Sequence, residues 1–575
     1  MRSRLAIAAM LIATSPSAAA EKPADLVLLN GKVVTVDAKF STAEAVAVRD
    51  GVFAYVGSTA DARQLVGDKT RVFDAKGKTV VPGLIESHVH ATGAARGEVT
   101  HPFIQLGSIG EIQDWVRKEA QKGDQAEWIQ APRVDVTRIK ERRIPTRQEL
   151  DAAAPDRPAV FNWQYANRQV QVLNTAALRA ANITKDTRPP AGGKIHIGPD
   201  GQPTGVIEDA GALTAKFLAR RNVPEAEYLD SLVRLLHRYN ECGITSIFER
   251  NTNPAGYRTY VKLKTDGRLS VRVTTTIGLS TDGTEAGTEK VIRGFPFRFG
   301  DGDDWVKVGP LKLGVDGGIL YGTAFMREPY GAAATPLYGN TDPNYQGDLR
   351  ISPEKLKAII RTGHRLGWQM CSHVTGDAGV DAVLDAVESA DRSIKDRRYT
   401  LIHAYFPNPE TARRAAGLGV CVDTQPAWYY KDADALASAL GGTRLKNFIG
   451  LREWLRAGVK VAINSDHMQG FDPNLSLNPY NPFLAMYVAI TRKTEHGLVI
   501  APEQCVSREE ALRMVTIDAA YLGFDETRKG SIEVGKLGDL AVLTDDVLTC
   551  PVERMKDVRA VLTVVGGRVV HEEKR

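Results

Sequence analysis

Short apolar runs alternate with helical segments through the middle of the chain. Eight runs have the length and composition of buried strands: GLIESHVH, GITSIFE, RVTTTIGL, LKLGVD, WQMCSHV, YTLIHAY, GVCVDTQ and VKVAINSD. Among the helical segments, SPEKLKAIIRTGHRLG opens at Ser352-Pro353 with Glu354, whereas NPETARRAAGLG and NFIGLREWLRAG end on glycine. This alternation predicts a parallel α/β protein, and eight strands predict a TIM-like (β/α)8 barrel. A doubly wound open sheet is the competing fold, but no G-x-G-x-x-G follows the first strand.

The two ends of the chain show a different pattern, in which short strands are joined by turn dipeptides. Asn30-Gly31, Asp50-Gly51 and Gly566-Gly567 each separate two apolar runs, which predicts three β-hairpins. Because strands occur at both ends, we expect the termini to meet in one small β-sandwich domain. The predicted domains are a signal peptide (1–20), a β-sandwich from 21–80 and 526–575, and a barrel over 81–525 with an insertion around 110–215.

The amino terminus, MRSRLAIAAMLIATSPSAAA, has the layout of a secretory signal peptide. Arg2 and Arg4 precede an apolar run over 5–13, and small residues stand at Ala18 and Ala20. The run is too short to span a bilayer. The sequence therefore predicts cleavage near Ala20 and a periplasmic or secreted protein.

Composition and charge limit the classes of partner. The chain has 575 residues, 43% hydrophobic and 25% charged, with a formal net charge of +5 and scattered basic residues. Such a balance argues against a nucleic-acid or membrane partner and leaves a small-molecule substrate, with a homo-oligomer as an open alternative. The five cysteines are far apart and lack C-x-x-C spacing, which argues against a disulfide scaffold or a zinc ribbon.

Histidines at predicted strand ends carry the candidate chemistry. His88 and His90 lie on the same face of a strand, where two imidazoles could hold one metal ion. Functional residues of a barrel lie where its strands end, and an ordered series continues at later strand ends, at Lys312, His373, His403 and Asp466. Each residue alone could be a core histidine, a surface lysine or a helix cap. Their joint order predicts a metal centre.

Several motifs carry a family resemblance: VVPGLIESHVH, LKLGVDGG, SHVTGDAGVDAVLDAVE, IHAYFPNPETARRAAGLGV, TQPAW, NSDHMQG and KGSIEVGKLGDLAVL. With these motifs the chain resembles the amidohydrolase superfamily, and more narrowly its amidohydrolase-3 (YtcJ-like) group. The resemblance implies a barrel with a β-sandwich, a centre of two divalent metal ions such as Zn²⁺, and hydrolysis of C–N bonds.

The same resemblance implies roles for the individual residues. His88 and His90 would bind the more buried metal ion, and His373 and His403 the second. Lys312 matches a position where many relatives bridge both ions with a carbamylated lysine. Asp466 would bind the first ion and act as the catalytic general base.

The sequence departs from the family pattern at two places. Asn167, Arg168 and Gln169 stand where relatives have Asp-Gly-His, and Gly322 stands where they often have arginine. We expect both places to lie near the substrate. The two departures therefore leave the reaction class of the family in place but argue against its familiar substrate.

Further residues are candidates for substrate binding. Trp163, Tyr165, Tyr321, Trp428 and Tyr429 fall in segments expected as loops around the mouth of the barrel. His467 either faces the pocket or caps the next helix. The Gly/Pro/Asn-rich segment 326–348 is either a lid or an inert surface loop.

The predicted function is an exported metal-dependent amidohydrolase that hydrolyses a non-peptide C–N bond of a small molecule. The bond could belong to an amide, a formamide, a carbamate or a cyclic amide. One alternative is a hydrolase of lactones or other esters on the same metal centre, because the centre does not dictate the leaving atom. A second is a non-catalytic periplasmic binding protein.

Overall fold

The computed structural model describes residues 22–122, 127–165, 168–218 and 222–574. The predicted signal peptide and its cleavage site lie outside the described residues.

The described strands fall into four sheets and are numbered in chain order. They are β1 (Leu26–Leu29), β2 (Lys32–Val34), β3 (Thr42–Ala43), β4 (Ala45–Arg49), β5 (Val52–Gly57), β6 (Arg71–Asp74), β7 (Thr79–Pro82), β8 (Leu84–Val89), β9 (Ile129–Gln130), β10 (Ala159–Tyr165), β11 (Arg168–Leu173) and β12 (Lys194–Ile197). The chain continues with β13 (Pro203–Glu208), β14 (Ile244–Thr252), β15 (Arg272–Gly278), β16 (Val306–Gly314), β17 (Met370–Val374), β18 (Thr400–His403), β19 (Cys421–Thr424), β20 (Val461–Ile463), β21 (Leu540–Leu543), β22 (Ala560–Val565) and β23 (Arg568–Glu572).

The described α-helices are numbered in the same way. They are α1 (Thr59–Ala62), α2 (Ala91–Thr100), α3 (Ile109–Ala120), α4 (Arg147–Ala153), α5 (Thr175–Ala180), α6 (Glu225–Glu241), α7 (Pro254–Thr265), α8 (Glu285–Arg293) and α9 (Thr335–Tyr338). The series continues with α10 (Pro353–Arg365), α11 (Asp377–Glu388), α12 (Pro409–Gly417), α13 (Pro426–Leu440), α14 (Leu451–Arg456), α15 (Pro482–Thr491), α16 (Arg508–Met514) and α17 (Ile517–Leu522). Short 3₁₀ turns occur at Arg63–Leu65, Gly211–Leu213, Ile319–Tyr321, Ala332–Ala334, Arg392–Arg397, Pro502–Gln504 and Val552–Asp557. The helices of the described residues include no candidate for a bilayer-spanning segment.

Eight parallel strands form the central sheet, in the order β8, β14, β15, β16, β17, β18, β19 and β20. The first and last strands meet through a parallel bridge between Val89 and His467, where the His90 amide donates to the His467 carbonyl at 2.8 Å. Strands such as β8 and β19 are buried along their whole length, because helices cover one face and the barrel interior the other. All eight predicted strands are present, and the predicted TIM-like barrel is confirmed.

The helices follow their sequence signals with one exception. Helix α10 begins with proline at its first turn and buries Leu356, Ile359, Ile360 and Gly363, the spacing of one helical face. The segment NFIGLREWLRAG was predicted as one helix, but α14 begins only at Leu451. Ile449 has φ 51°, which a right-handed helix does not contain.

Both ends of the chain contribute to a pair of small sheets beside the barrel. One has the order β5, β4, β1, β6 and the other β23, β22, β21, β7, β2, β3. In the second sheet Val81 of β7 is paired with Ala541 of β21, which joins the amino-terminal and carboxy-terminal segments. Leu28, Val46 and Leu562 belong to one buried cluster that links the two sheets. The predicted β-sandwich built from both termini is confirmed.

Two of the three predicted hairpins are present. Asp50-Gly51 joins β4 to β5, and Gly566-Gly567 joins β22 to β23, each as a two-residue turn between antiparallel strands. The prediction for Asn30-Gly31 is wrong, because β1 lies in the four-stranded sheet and β2 in the six-stranded sheet. The dipeptide carries the chain from one sheet to the other. A Cβ on Gly31 would lie 3.0 Å from a methyl of Val80, so the chain is closely packed at this crossing.

The insertion contains its own helices and sheet, in the order β12, β13, β11, β10, β9. Helices α3 and α4 pack on this sheet through a separate core that includes Ile112, Leu150, Phe161 and Val172. The limits of the individual domains stay predictions.

Candidate metal centre

The predicted ligands lie at the carboxyl ends of barrel strands. His88 stands near the end of β8 and His90 just after it, while His403 is the last residue of β18. His373 and Lys312 lie near the ends of β17 and β16. Parallel strands all present their carboxyl ends at one face, so the barrel brings these side chains together.

The first group consists of His88, His90 and Asp466. The Oδ1 atom of Asp466 lies 3.2 Å from Nε2 of His88 and 3.3 Å from Nε2 of His90. Zinc bonds to nitrogen and oxygen are about 2.0–2.2 Å long, so two ligands of a tetrahedral ion are roughly 3.3–3.5 Å apart. These three atoms therefore have the spacing and the donor chemistry of ligands to one such ion.

The second group consists of His373 and His403. Nδ1 of His403 lies 2.7 Å from Oε1 of Gln425, and Nε2 of His373 lies 3.2 Å from the Gly317 carbonyl. Both oxygens only accept hydrogen bonds, so these two nitrogens carry the protons. The remaining nitrogens, Nε2 of His403 and Nδ1 of His373, then face each other as lone pairs at 2.9 Å. A cation that both nitrogens bind would remove the repulsion between these lone pairs.

Burial keeps these imidazoles neutral. It lowers the pKa of His403 to about 4, and it lowers the pKa of His88 and His373 well below the ordinary value. The nearby positive charge of Lys312 acts in the same direction on all three histidines. Neutral imidazole is the form that binds a metal ion, so His88, His373 and His403 are ready to act as ligands near neutral pH.

Lys312 lies between the two groups. Its Nζ is 3.3 Å from Nε2 of His88, and its charge affects histidines of both groups. The residue is 8% exposed, and burial lowers the pKa of its amine. A larger fraction of the amine is therefore neutral and nucleophilic than in a solvated lysine.

Asp466 is held in a backbone conformation that a strand does not allow. Its φ is 53°, its amide donates to Asn464 Oδ1 at 3.1 Å, and its carbonyl accepts from Asn478 at 2.7 Å. The indole of Trp428 donates to its Oδ2 at 3.3 Å. Burial alone would raise the pKa of this carboxyl, but a hydrogen bond with His90 and the positive charge of Lys312 help to bring it below the ordinary value. Asp466 is therefore ionised at neutral pH.

Sequence reasoning missed a buried polar network beneath these residues. The amide of Gln425 donates to Asn464 Oδ1 at 3.0 Å, and Asn464 donates to Asp423 at 2.6 Å. Asp423 also accepts from Arg250 at 2.7 Å and from Ser87 at 2.6 Å. The network links His403 to the loop of Asp466 and fixes both. The polar residues inside the apolar runs SIFER and VCVDTQ were the available signal.

A second missed group is Asp316, which lies behind His373 at 3.8 Å. It accepts hydrogen bonds from the amides of Phe325, Thr375 and Gly376, and burial raises its pKa to about 7. Asp316 thus fixes the loops that follow β16 and β17.

A cavity of about 320 Å³ opens above the candidate ligands. It is lined by His88, His90, Arg133, Lys312, Gly318, Ile319, Leu320, Tyr321, Thr323, Arg350, His373, Thr375, His403, Tyr405, Trp428, Asp466 and Met468. This volume is at the lower end of the range for small-molecule sites, which is about 300–1,000 Å³. Tyr321 and Trp428 thus line the cavity, although Tyr321 lies on a 3₁₀ turn and Trp428 on α13 rather than in loops.

Trp163 and Tyr165 lie on β10 and not in a loop. The Trp163 ring is buried with its centroid 6.1 Å from that of Tyr321, and it lines an adjoining cavity rather than that of the metal-ligand candidates. The side chain of Tyr165 lies outside the described residues.

His467 and Tyr429 are placed elsewhere than expected. The ring nitrogens of His467 lie 2.7 Å from the Tyr239 hydroxyl and 2.7 Å from the Gly470 carbonyl, and its side chain is buried outside the cavity. The Tyr429 hydroxyl donates to the Arg492 carbonyl at 2.7 Å within the core of α13 and α15. Both side chains support the fold around the site, because they satisfy buried backbone groups.

The departures from the family pattern have different surroundings. Asn167 lies outside the described residues, Arg168 forms an exposed ion pair with Glu208, and Gln169 lines the adjoining cavity. Gly322 has φ 67°, and a Cβ there would lie 2.6 Å from the ring of Tyr338. An arginine cannot be accommodated at Gly322.

The segment 326–348 packs beside the cavity. Arg327 forms an ion pair with Asp381 at 2.6 Å, and Arg444 donates to the backbone carbonyls of 328 and 329 at 2.6 Å. Tyr330 and Tyr338 are buried against each other. No described side chain of this segment lines the cavity, so the segment is anchored next to it rather than over it.

Comparison with known proteins decides the family. A profile of the amidohydrolase family matches residues 71–571. The chain belongs to this family. It is 27% identical over 563 residues to an N-substituted formamide deformylase of Arthrobacter pascens, covering 95% of this chain and 98% of that protein. It is 24% identical to the putative amidohydrolase YtcJ of Bacillus subtilis (strain 168), over 94% of this chain and 98% of that protein.

A solved structure gives the same result for the fold. An uncharacterized metal-dependent hydrolase from Pyrococcus horikoshii superposes with a TM-score of 0.66 at 20% identity, over 92% of this chain and 99% of that one. The predicted membership of the amidohydrolase-3 (YtcJ-like) group is confirmed. The chain is a metal-dependent hydrolase of C–N bonds other than peptide bonds.

Proposed function

We propose that this protein is an exported amidohydrolase that uses two zinc ions to hydrolyse an N-substituted formamide or a related small amide. The observation that carries the proposal is the meeting of two imidazole groups, Lys312 and Asp466 at the floor of one small cavity. Similarity to a formamide deformylase over nearly the whole chain supports the choice of bond. The signal-peptide layout of the first residues supports export to the periplasm or beyond.

The geometry supports the following ligand set, in which the role of Lys312 is the one that the family resemblance implies. His88, His90 and Asp466 would hold one ion, and His373 and His403 the second. Lys312 would bridge the two as a carbamate, formed when its neutral amine attacks carbon dioxide and releases a proton to solvent. The resulting carboxylate supplies two anionic oxygens, whereas an ammonium group would repel both ions. Burial favours this reaction because it lowers the pKa of the Lys312 amine.

When bound, the zinc ions lower the pKa of a water molecule and polarise the scissile carbonyl. The chain itself moves the proton. Asp466 is ionised, so its carboxylate accepts a proton from the attacking water and then delivers it to the leaving nitrogen. The indole of Trp428 orients the Asp466 carboxylate, since it donates to Oδ2 and leaves Oδ1 towards the histidines. Tyr321 and Trp428 form part of the wall against which the substrate packs.

The test is a hydrolysis panel on metal-depleted protein that has been reloaded with zinc. The panel contains N-substituted formamides, N-acyl amines, lactams, carbamates and lactones, with release of formate or amine as the readout. We expect formamides and amides to be turned over, two zinc ions per chain, and loss of turnover in Asp466→Asn. Turnover of lactones alone, or binding of an amide without turnover, would contradict the proposal. N-terminal sequencing of protein from the native cell tests export and should begin near Glu21.

A further inference from the structure

Two arginine side chains, Arg133 and Arg350, line the same cavity as the candidate metal ligands. Neither guanidinium forms an ion pair with a carboxylate of residues 22–122, 127–165, 168–218 or 222–574. Other arginines nearby are neutralised: Arg138 is paired with Asp432 at 2.6 Å, and Arg327 with Asp381 at 2.6 Å. Arg133 and Arg350 are exposed, and Arg350 also acts on the buried carboxyl of Asp316, but neither guanidinium is held in an ion pair within the described part of the chain, so both present positive charge to whatever enters.

The fold places these arginines from two separate segments. Arg133 follows β9 in the insertion, and its Nη2 donates to the Tyr321 hydroxyl at 3.3 Å, which directs the guanidinium along the wall. Arg350 lies just beyond the end of β16, because its amide donates to the Val315 carbonyl at 2.8 Å. Of the described residues that line the cavity, Asp466 is the only one with a carboxylate, and it belongs to the metal-ligand end. On the arginine side the described lining thus contains no carboxylate, and the buried carboxyl of Asp316 lies behind the wall.

We infer that the substrate carries a carboxylate, which Arg133 and Arg350 bind while the scissile C–N bond lies at the metal centre. The inference rests on the proposed function and narrows it to N-formyl or N-acyl derivatives of amino acids or similar small acids. A guanidinium donates two parallel hydrogen bonds that match the two oxygens of a carboxylate. Ile319 and Leu320 line the same cavity and suit an aliphatic or aromatic side chain on such an acid.

The electrostatic field of the cavity supports a substrate that carries a carboxylate. A concave surface of one charge with low-dielectric walls concentrates ligands of the opposite charge and speeds their entry. An amine or other cationic substrate would meet repulsion from both arginines. A neutral formamide could accept a hydrogen bond from a guanidinium but would gain no attraction between opposite charges.

The experiment compares matched pairs that differ only in charge. N-formylalanine, N-formylleucine and N-formylphenylalanine are each set against the corresponding N-formyl carboxamide, with formate release by the zinc-loaded protein as the readout. We expect kcat/KM to be at least about tenfold higher for the acid than for the amide. We expect Arg133→Gln and Arg350→Gln each to reduce the value for the acid about tenfold, mainly through KM, so that the ratio of kcat/KM between acid and amide falls close to one.

Arg413→Gln is the matched control, since Arg413 is an exposed arginine on α12 outside the cavity. This substitution should leave kcat/KM unchanged for both the acid and the amide. Turnover of the amides equal to that of the acids, with no effect of the two cavity variants, would overturn the inference and leave the proposed function standing.

A binding measurement separates the inference from the proposed function. If no formamide or amide is turned over, the function fails, and calorimetric titration of metal-depleted protein with N-acetylleucine and N-acetylleucinamide decides the inference alone. Binding of the acid that weakens about tenfold in Arg133→Gln or Arg350→Gln supports it. Equal binding of acid and amide, or binding of neither, overturns it.

Discussion

Replacement of Gln425 by leucine is predicted to release the second metal ion while the first stays bound. Oε1 of Gln425 lies 2.7 Å from Nδ1 of His403, and this contact leaves Nε2 as the free lone pair of that imidazole. Leucine has a similar volume but no acceptor, so the His403 ring can change its tautomer and rotate. Hydrogen-bond partners of metal ligands typically contribute about 10–100-fold to metal affinity, which corresponds to roughly 1.4–2.7 kcal/mol.

The structure indicates where within this range the loss of metal affinity should lie. The Tyr405 hydroxyl lies 3.2 Å from the same nitrogen and can take over part of the role, so we expect a loss near tenfold. In Gln425→Leu with Tyr405→Phe, both acceptors are gone, and the loss should approach about 100-fold. Leucine also removes the hydrogen bond that Gln425 donates to Asn464 Oδ1. Because this oxygen still accepts from the Asp466 amide, the loss should cost about 0.5–1.5 kcal/mol of unfolding free energy.

The assay is zinc content per chain in metal buffers of increasing free zinc concentration. Wild-type protein should show two ions, and the variant should lose one of them at free zinc concentrations where the other is retained. Gln369→Leu is the matched control, because Gln369 is a buried glutamine that donates to the carbonyls of Arg398 and Leu522 away from the site. It should lower stability and leave zinc content unchanged. An equal loss of affinity for both zinc ions in Gln425→Leu, or no loss of affinity, would refute the reasoning.

Three further predictions concern the same structure. Lys312→Ala should lower the occupancy of both metal ions at least about tenfold, with partial rescue by acetate, and normal activity with one metal ion per wild-type chain would contradict the bridge. In metal-free protein the pKa of His403 is lowered to about 4, so its contribution to stability is present above about pH 6.5 and is lost as the pH falls towards 4. Urea unfolding at a series of pH values checks this, and a constant unfolding free energy over that interval would exclude it. Arg250→Met breaks a fully buried ion pair with Asp423 and should cost about 3–5 kcal/mol of unfolding free energy, whereas the exposed control Arg293→Met should cost less than about 0.5.

The sequence alone was sufficient for the barrel and for the set of candidate ligands. Each strand of the barrel is buried on both faces, so each is read as a short apolar run, and helices of ordinary length separate the runs. Strand ends in a parallel barrel all lie at one face. The position of His373, His403 and Asp466 at the ends of the fifth, sixth and eighth strands therefore predicted their proximity without any knowledge of contacts.

The residue types of a turn predicted a hairpin correctly only where the two flanking strands pair with each other. Asp50-Gly51 and Gly566-Gly567 join strands that pair with each other, and the two-residue turn is then a local property. Asn30-Gly31 has the same residue types, but its flanking strands find partners in different sheets. The partner of a strand depends on segments far away in the chain, such as β21 beside β7.

Only the tertiary structure decided which polar side chains meet. The strand period assigns Asp423 to a face, but its bonds to Arg250, Ser87 and Asn464 come from three other segments. His467 was ambiguous because the face it occupies depends on α6, which supplies the Tyr239 hydroxyl. Arg133 and Arg350 lie 217 positions apart along the printed sequence and become neighbours of one cavity through the insertion and the loop after β16. Local periodicity fixes the direction of a side chain, whereas its partners are fixed by the packing of distant elements, and the chemistry of this site depends on those partners.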